Sequence, residues 1–539
     1  MVGCPGCGSK LVFDIESQQM KCSYCGKLYV VSQVSKHSKS ADEHPDMTRD
    51  EYSEEPIMSE GPVMEATVFT CSQCGAEIVA DPDEAVTWCS YCGSPATLKS
   101  RLSMIRKPDK VIPFKITKKE CALRYREVAR KQIYAPNDLI RKGKAESFRG
   151  IYMPFWSYNV SRSGEYRFPG KTVEVIGNEQ ITTSYMANGW IESRQHDLSH
   201  DASVTFDDAV SEKIVPFMGK DAVEFDDCYL NGFYANAADQ GEEEYRQNIL
   251  STESDIIITK AQWNLPKFGM DEQAAKQQLA DTGNYKISME SSLQMYPVWF
   301  LSYRHGDRVS YATINGQTGK TYADFPASPY KYLLFSLLTA IPLYLLINLV
   351  MSATPAVVMF SALIAAFVAS SIYQSEVTEI FVKQFHVSFG KKEKIAAKLK
   401  KAFTGFGTVA MIFVYVVLYL LFDTNEYLPD LGANFDYVYM VIAAILLVIL
   451  VIRFFKMKSR FMALSNVRLN MTNGLFVLVA VISLAMFIIR PADDYLYYAG
   501  GFAAAAIVAL SVVNLIHGYN ILASQKPKQF KRSGGDDLA

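Results

Sequence analysis

The chain has 539 residues, 49% hydrophobic and 20% charged, with a formal net charge of −2. That length allows three or four domains, and the near-neutral balance excludes nucleic-acid binding through bulk positive charge. The averages conceal a division, because residues 1–330 are mixed and polar whereas residues 331–525 are mostly apolar with long uncharged runs. The opening residues, MVGCPGCGSK, carry neither a basic n-region nor an apolar h-region, so the N-terminal part is expected to stay in the cytosol.

Eight of the ten cysteines fall into two sets of identical spacing, Cys4, Cys7, Cys22, Cys25 and Cys71, Cys74, Cys89, Cys92. Each set reads C-x2-C-x14-C-x2-C, and each ends in the same pentapeptide, CSYCG. Two residues between cysteines let one tight turn present both sulfurs to a single ion, and four thiolates close a tetrahedral shell with no position left for substrate. In a reducing compartment this predicts two structural zinc ions, not disulfides. Glycine follows the second cysteine of every pair, at Gly8, Gly26, Gly75 and Gly93, where positive φ is tolerated and backbone N–H groups can be aimed at sulfur. Both segments, 4–26 and 71–93, resemble zinc ribbons of the rubredoxin-like or TFIIB type. Residues 71–93 contain Glu77, Asp81, Asp83 and Glu84 and no Lys or Arg. Residues 4–26 set Lys10 and Lys21 against Asp14 and Glu16. Phosphate binding needs a basic face, so protein contact is favoured over nucleic acid. Residues 33–66 are Ser-, Glu- and Asp-rich and read as a flexible tether, in which His37 and His44 are solvated loop residues.

Residues 108–328 read as a β-rich α+β cytosolic domain. Apolar spacing in 115–133 predicts a helix whose buried face carries Leu123, Val128 and Ile133. The segment Met153-Pro154-Phe155-Trp156-Ser157-Tyr158 recurs in kind at Tyr296-Pro297-Val298-Trp299, followed by Ser302-Tyr303. Each copy is followed by an expected hairpin, turning near Ser163-Gly164 and His305-Gly306-Asp307. Further turns are expected at Asn315-Gly316 and Thr318-Gly319. His196 and His200, four apart, would share one face of a helix and form half a metal site, with no third ligand evident. Asp226-Asp227 reads as a surface acidic pair. No phosphate loop, nucleophile elbow, zincin motif or dinucleotide fingerprint occurs, so no catalytic residue is assigned and the chain is not expected to be an enzyme.

From Tyr332 to Ser375 no residue is charged, a run of 44 positions, where one spanning helix needs about 20. Folding that run back at Ser352–Pro355 and adding spans at 402–422, 435–452, 474–489 and 495–516 predicts an all-α, six-helix transmembrane domain over 331–525. The inner segments would hold 16 Lys and Arg against one, Arg490, in the outer ones. That asymmetry places both termini in the cytosol. The spans contain no Asp, Glu, Lys or Arg, with Asp436 and Arg453 at span ends, so anchoring is favoured over transport. Residues 391–401, KKEKIAAKLKK, suit a helix lying on anionic lipid.

The chain resembles a bacterial family of membrane proteins with TFIIB-type zinc ribbons, some members of which accompany the phage-shock protein A membrane-stress system. The resemblance rests on the CPGCG and CSYCG knuckles, on VIPFKIT (111–117), YAPNDL (134–139), GIYMPFW (150–156) and YLNGFYA (229–235), and on YPVWFLSYR with INGQTGK (296–304, 314–320). It implies a plasma-membrane protein and a phage-shock A-like protein as partner. The expected organisation is ribbon one (1–32), tether (33–66), ribbon two (67–105), cytosolic domain (108–328), membrane domain (331–525) and cytosolic tail (526–539). The expected function is an adaptor recruiting a cytosolic protein to the inner membrane face. The alternatives are a transporter or channel with a regulatory ribbon domain, and a membrane-tethered nucleic-acid binder.

Overall fold

Long strands, not helices, organise the first 324 residues. The computed structural model describes residues 3–34, 62–80, 89–92, 98–140, 147–176, 179–203, 208–264, 269–305, 308–350, 355–385, 429–460, 469–489 and 493–524. His37 and His44, most of the tether, the basic segment 391–401, the expected span 402–422 and the tail lie outside the described residues. The chain divides into two units. One holds Met1–Lys131 and Asp138–Asp324, and the other holds Gln132–Asn137 and Phe325–Gln525.

The first unit begins with a small antiparallel sheet of β1 (Leu11–Asp14), β2 (Gln19–Cys22) and β3 (Leu28–Tyr29). A second sheet has 11 strands. Its early members are β4 (Val63–Cys71), β5 (Glu77–Val79), β6 (Leu98–Arg106) and β7 (Lys110–Val111). The helices α1 (Lys118–Lys131) and α2 (Asn137–Ile140) then precede the two longest neighbours, β8 (Arg149–Ile176) and β9 (Glu179–Asp201). After α3 (Asp208–Ile214) come the short β10 (Val223–Glu224) and β11 (Tyr234–Ala235), then α4 (Arg246–Asn264) and α5 (Glu272–Ala280). The hairpin β12 (Lys286–His305) and β13 (Arg308–Asn315), with β14 (Thr321–Ala323), completes the sheet.

β8 and β12 form the spine, paired antiparallel from Arg149↔Phe300 to Ser163↔Lys286. The two similar segments noted in sequence are therefore direct neighbours, with Met153 opposite Tyr296 and Tyr152 opposite Pro297. Their residues are buried almost without alternation because the sheet is covered on both faces. The turn expected at Ser163-Gly164 is absent. Gly164 lies inside β8, and a Cβ there would sit 2.7 Å from the Tyr285 ring, so the glycine permits close approach and not chain reversal. The second expected hairpin does form, β12 and β13 pairing antiparallel out to His305↔Arg308. Asn315 ends β13 fully buried, its Oδ1 accepting from the backbone N–H of Gln317 and Thr318 at 2.9 Å each. Helix α1 forms, but its buried residues are Cys121, Ala122, Tyr125 and Ala129. Leu123 and Ile133 are more than half exposed. The packing stripe follows the aromatic Tyr125 and small residues, which apolar counting underweights.

The second unit corrects the expected six-helix transmembrane domain. Among the described residues it holds α6 (Pro329–Val350), α7 (Pro355–Phe385), α8 (Pro429–Arg460), α9 (Leu469–Ile489) and α10 (Asp494–Leu522). Among them one stretch, Tyr495–Leu522, is long and apolar enough to cross a membrane, and the apolar part of α9, Thr472–Met486, is shorter. The physical reason is that uncharged runs serve helix cores as well as spans. Leu363, Ala366, Tyr373 and Val377 of α7 are buried together with Leu446 of α8, Phe476 and Val479 of α9 and Ala504 of α10. Arg453, read from sequence at a span end, is half-buried among the helices. It lies within α8, donates from Nη1 to Ser371 Oγ at 2.7 Å and covers the Phe367 ring at 4.5 Å.

Candidate metal centres

The sequence brings each cysteine set to one point through a pair of tight turns on antiparallel strands. In the first, Cys4 and Cys7 precede β1, Cys22 ends β2, and Cys25 follows in the turn to β3. In the second, Cys71 ends β4, Cys74 sits in the turn to β5, and Cys89 and Cys92 lie between β5 and β6. Gly8, Gly26 and Gly75 take φ of 72°, 69° and 77°, which a side chain would strain. Gly93 lies outside the described residues. The turns aim donors at sulfur. Gly6 N–H donates to Cys4 Sγ and Cys25 N–H to Cys22 Sγ, both at 3.4 Å.

Within each set the four sulfurs lie within 4.8 Å of one another, so the eight predicted ligands form two metal-capable clusters. Sulfur separations are 3.8 Å for Cys4–Cys25, 3.5 Å for Cys7–Cys22, and 3.8 Å for both Cys71–Cys92 and Cys74–Cys89. A tetrahedron with metal–sulfur bonds of about 2.3 Å has an edge of about 3.8 Å, whereas a disulfide is about 2.05 Å. The donor geometry fits one four-coordinate ion per cluster. Among the described residues no other group of three or more His, Cys, Asp or Glu side chains converges in this way.

The two centres differ in setting. All four cysteines of the second are buried. They belong to the same apolar core as Ile151, Met153, Phe155, Val298 and Phe300. Tyr91 of the second CSYCG is 4% exposed. Its ring lies 5.8 Å from that of Phe300, its hydroxyl meets Met153 Sδ at 3.9 Å, and its carbonyl accepts from Tyr311 Oη at 2.8 Å. The second ribbon is thus a part of the main sheet, not a body on a tether. The first ribbon is seated by its opposite edge. Phe13 N–H donates to Asn231 O at 3.2 Å, Phe13 and Tyr229 rings lie 5.2 Å apart, and Gln18 Nε2 donates to Phe114 O at 2.8 Å. Gly232, at φ 91°, makes room for Val12, whose Cγ1 would be 2.4 Å from any Cβ. This explains the glycine in YLNGFYA. Its knuckle is open, with Cys7 and Cys25 exposed and Tyr24 at 84% exposure.

The Cys4 thiol donates to Tyr29 Oη at 3.5 Å; once ionised, Cys4 accepts from that hydroxyl and from the Gly6 N–H instead, which holds its thiol down at about 6. Cys22 is lowered too, first by the backbone N–H of Cys25. Both shifts favour the thiolate that a metal requires. A depressed thiol keeps its charge to lower pH, so the Tyr29 contact helps Cys4 hold a metal as protons compete for the sulfur. Tyr29→Phe removes that donor. The pH midpoint of metal loss from the first cluster should then rise, read as metal released from the full chain during acid titration, while the second cluster's midpoint stays fixed.

The remaining sequence candidates separate. His196 and His200 lie on β9, a strand, and not on a helix. His196 is exposed. His200 stacks on Tyr245 with ring centres 3.7 Å apart and its Nδ1 lies 3.2 Å from Asp201 Oδ1. Asp226 caps a short 3-10 turn by accepting from Cys228 N–H at 3.0 Å, and Asp227 is exposed. Cys121 and Cys228 are buried, and burial pushes both thiols up, away from reactivity. Sequence reasoning missed the buried pair Arg162–Glu253. Arg162 Nε donates to Glu253 Oε2 at 2.8 Å and Nη1 to Leu279 O at 2.7 Å. Lone charges 91 residues apart leave no local signal.

No protein-family model matches the chain, and no solved structure matches it. A relative in Bacillus subtilis (strain 168), designated "Uncharacterized protein YdjG", is 26% identical over 329 residues, which is 60% of this chain and 89% of that protein. The chain is therefore similar to YdjG across most of that protein's length.

Proposed function

We propose that this protein is a non-enzymatic adaptor at the inner face of a bacterial plasma membrane. In this reading it holds one structural Zn²⁺ in each cysteine cluster and docks a cytosolic protein through the first. The observation that carries this reading is the contrast between two like ribbons. One is spent in the core, whereas the other is rigidly seated and leaves its knuckle exposed. Closed four-thiolate sites favour a structural ion over chemistry. The apolar helix Tyr495–Leu522 supports membrane attachment. Cysteines gathered as free thiols at metal-capable sites, not as disulfides, support a cytoplasmic N-terminal unit. Burial of the second ribbon reduces a two-headed docking arm to a single head. The resemblance to phage-shock-associated proteins makes a phage-shock A-like protein the first partner to try.

Elemental analysis of the purified full chain should return about two Zn²⁺ per chain, by the four-ligand logic of such sites. Absence of bound metal with freely alkylatable thiols at Cys7 and Cys25 would refute the metal assignment. Deleting residues 1–32 removes a separate small sheet and should leave the main sheet folded and the protein in the membrane fraction. It should also release the phage-shock A-like protein from that fraction. Undiminished recruitment would move the docking role to the main sheet.

A further inference from the structure

The duplicated CSYCG gives an internal template for what the open copy binds. In the second copy Cys89, Ser90, Tyr91 and Cys92 are all buried. The tyrosine is received by an aromatic floor (Phe300), a thioether (Met153) and a hydroxyl that donates to its carbonyl (Tyr311). In the first copy the same tetrapeptide keeps only Cys22 buried. Ser23 holds its shape, donating from N at 3.2 Å and Oγ at 3.1 Å to Lys10 O. Tyr24 projects at 84% exposure, with Leu28 and Val30 at 47% each. A tyrosine on a metal-fixed turn loses little freedom on docking, and such anchors carry most of the energy of an interface.

We infer that the Tyr24 knuckle is the docking head, and that it inserts into a groove on a partner protein built like the seat of Tyr91. That seat is a β-sheet face with an aromatic floor, a methionine or similar apolar wall, and a hydroxyl donor for the Tyr24 carbonyl. The inference rests on the adaptor reading and makes it specific to one side chain. The near-balanced charge of the first ribbon, Lys10 and Lys21 against Asp14 and Glu16, favours this apolar partner over a phosphate backbone or an anionic bilayer.

The test is site-directed photo-crosslinking of the full chain in bacterial cells. The photoreactive residue p-benzoyl-phenylalanine replaces Tyr24 or Leu28, or, as a control, the exposed Glu16 on the same ribbon. Adducts of one discrete mass at 24 and 28 but not at 16 are expected, with crosslinked peptides falling on a strand bearing Phe, Tyr or Met. Tyr24→Ser should retain both metal ions and weaken co-purification of that protein about thirtyfold, the scale of an interface anchor. Tyr24→Phe should retain most of the binding, because the seat of Tyr91 offers its hydroxyl only a thioether, a weak acceptor, at 3.9 Å. Adducts at 24 no stronger than at 16, or adducts to lipid, nucleic acid or charged loops, would overturn the inference. If deletion of 1–32 releases a partner while Tyr24→Ser with full metal content does not, the adaptor reading stands and this inference falls.

Discussion

Cys71→Ser should abolish cooperative unfolding of the main sheet, while Cys22→Ser should cost one metal ion and leave that sheet intact. Closing a four-thiolate site contributes about 10–16 kcal/mol in small zinc peptides. Whole domains are stable by about 5–15 kcal/mol. The second cluster sits inside the core with Ile151, Phe155 and Val298. Removing one ligand therefore leaves uncompensated thiolates among buried apolar side chains, beside β4 and β5 that the ion pins together. The first cluster closes a separate three-stranded sheet, whose loss forfeits seating contacts at Tyr229, Asn231 and Phe114 O but no member of the main sheet's apolar core. Denaturant melts of the two variants, each with metal analysis, decide the matter. A Cys71→Ser protein within about 2 kcal/mol of wild type, a small fraction of domain stability, would show that the ion is dispensable there.

The second large effect is expected at Arg162. This residue and Glu253 have no exposed side-chain surface, and two Arg162 nitrogens lie 2.8 Å from Glu253 Oε2. Arg162→Met strands a carboxylate in the core between β8 and α4 and should destabilise the unit by about 3–5 kcal/mol. The double variant Arg162→Met/Glu253→Leu should recover most of that loss, because desolvating two charges costs nearly what their attraction returns. Equal melts for the single and double variants would mean that the lost contacts are those of the arginine alone, with Leu279 O at 2.7 Å and the Tyr285 ring at 5.1 Å.

What could be read from the chain in advance was what is local. The cysteine spacing announced both clusters, since ligands two residues apart need only a turn. The turn at Asn315 was legible because asparagine and glycine write it into neighbouring positions. The partition of the two ribbons was not, because Tyr24 and Tyr91 sit in identical pentapeptides and only residues 153, 300 and 311 distinguish their fates. His196 and His200 misled because spacing of four suits a helix, yet they lie at the end of a 23-residue strand. The apolar half misled for a related reason. Hydropathy counts charges along one segment, whereas burial of Leu363 or Phe476 is supplied by other helices.

The seat of Tyr91 also sets a schedule for synthesis. Tyr311, which donates to its carbonyl, is 220 residues downstream. A ribosome adding about 5–20 residues per second needs roughly 10–45 s to deliver it. Throughout that interval the seat of Tyr91 lacks its last member, and the nascent chain carries two copies of one tetrapeptide with neither fully received. Only completion of β13 distinguishes them, by withdrawing one.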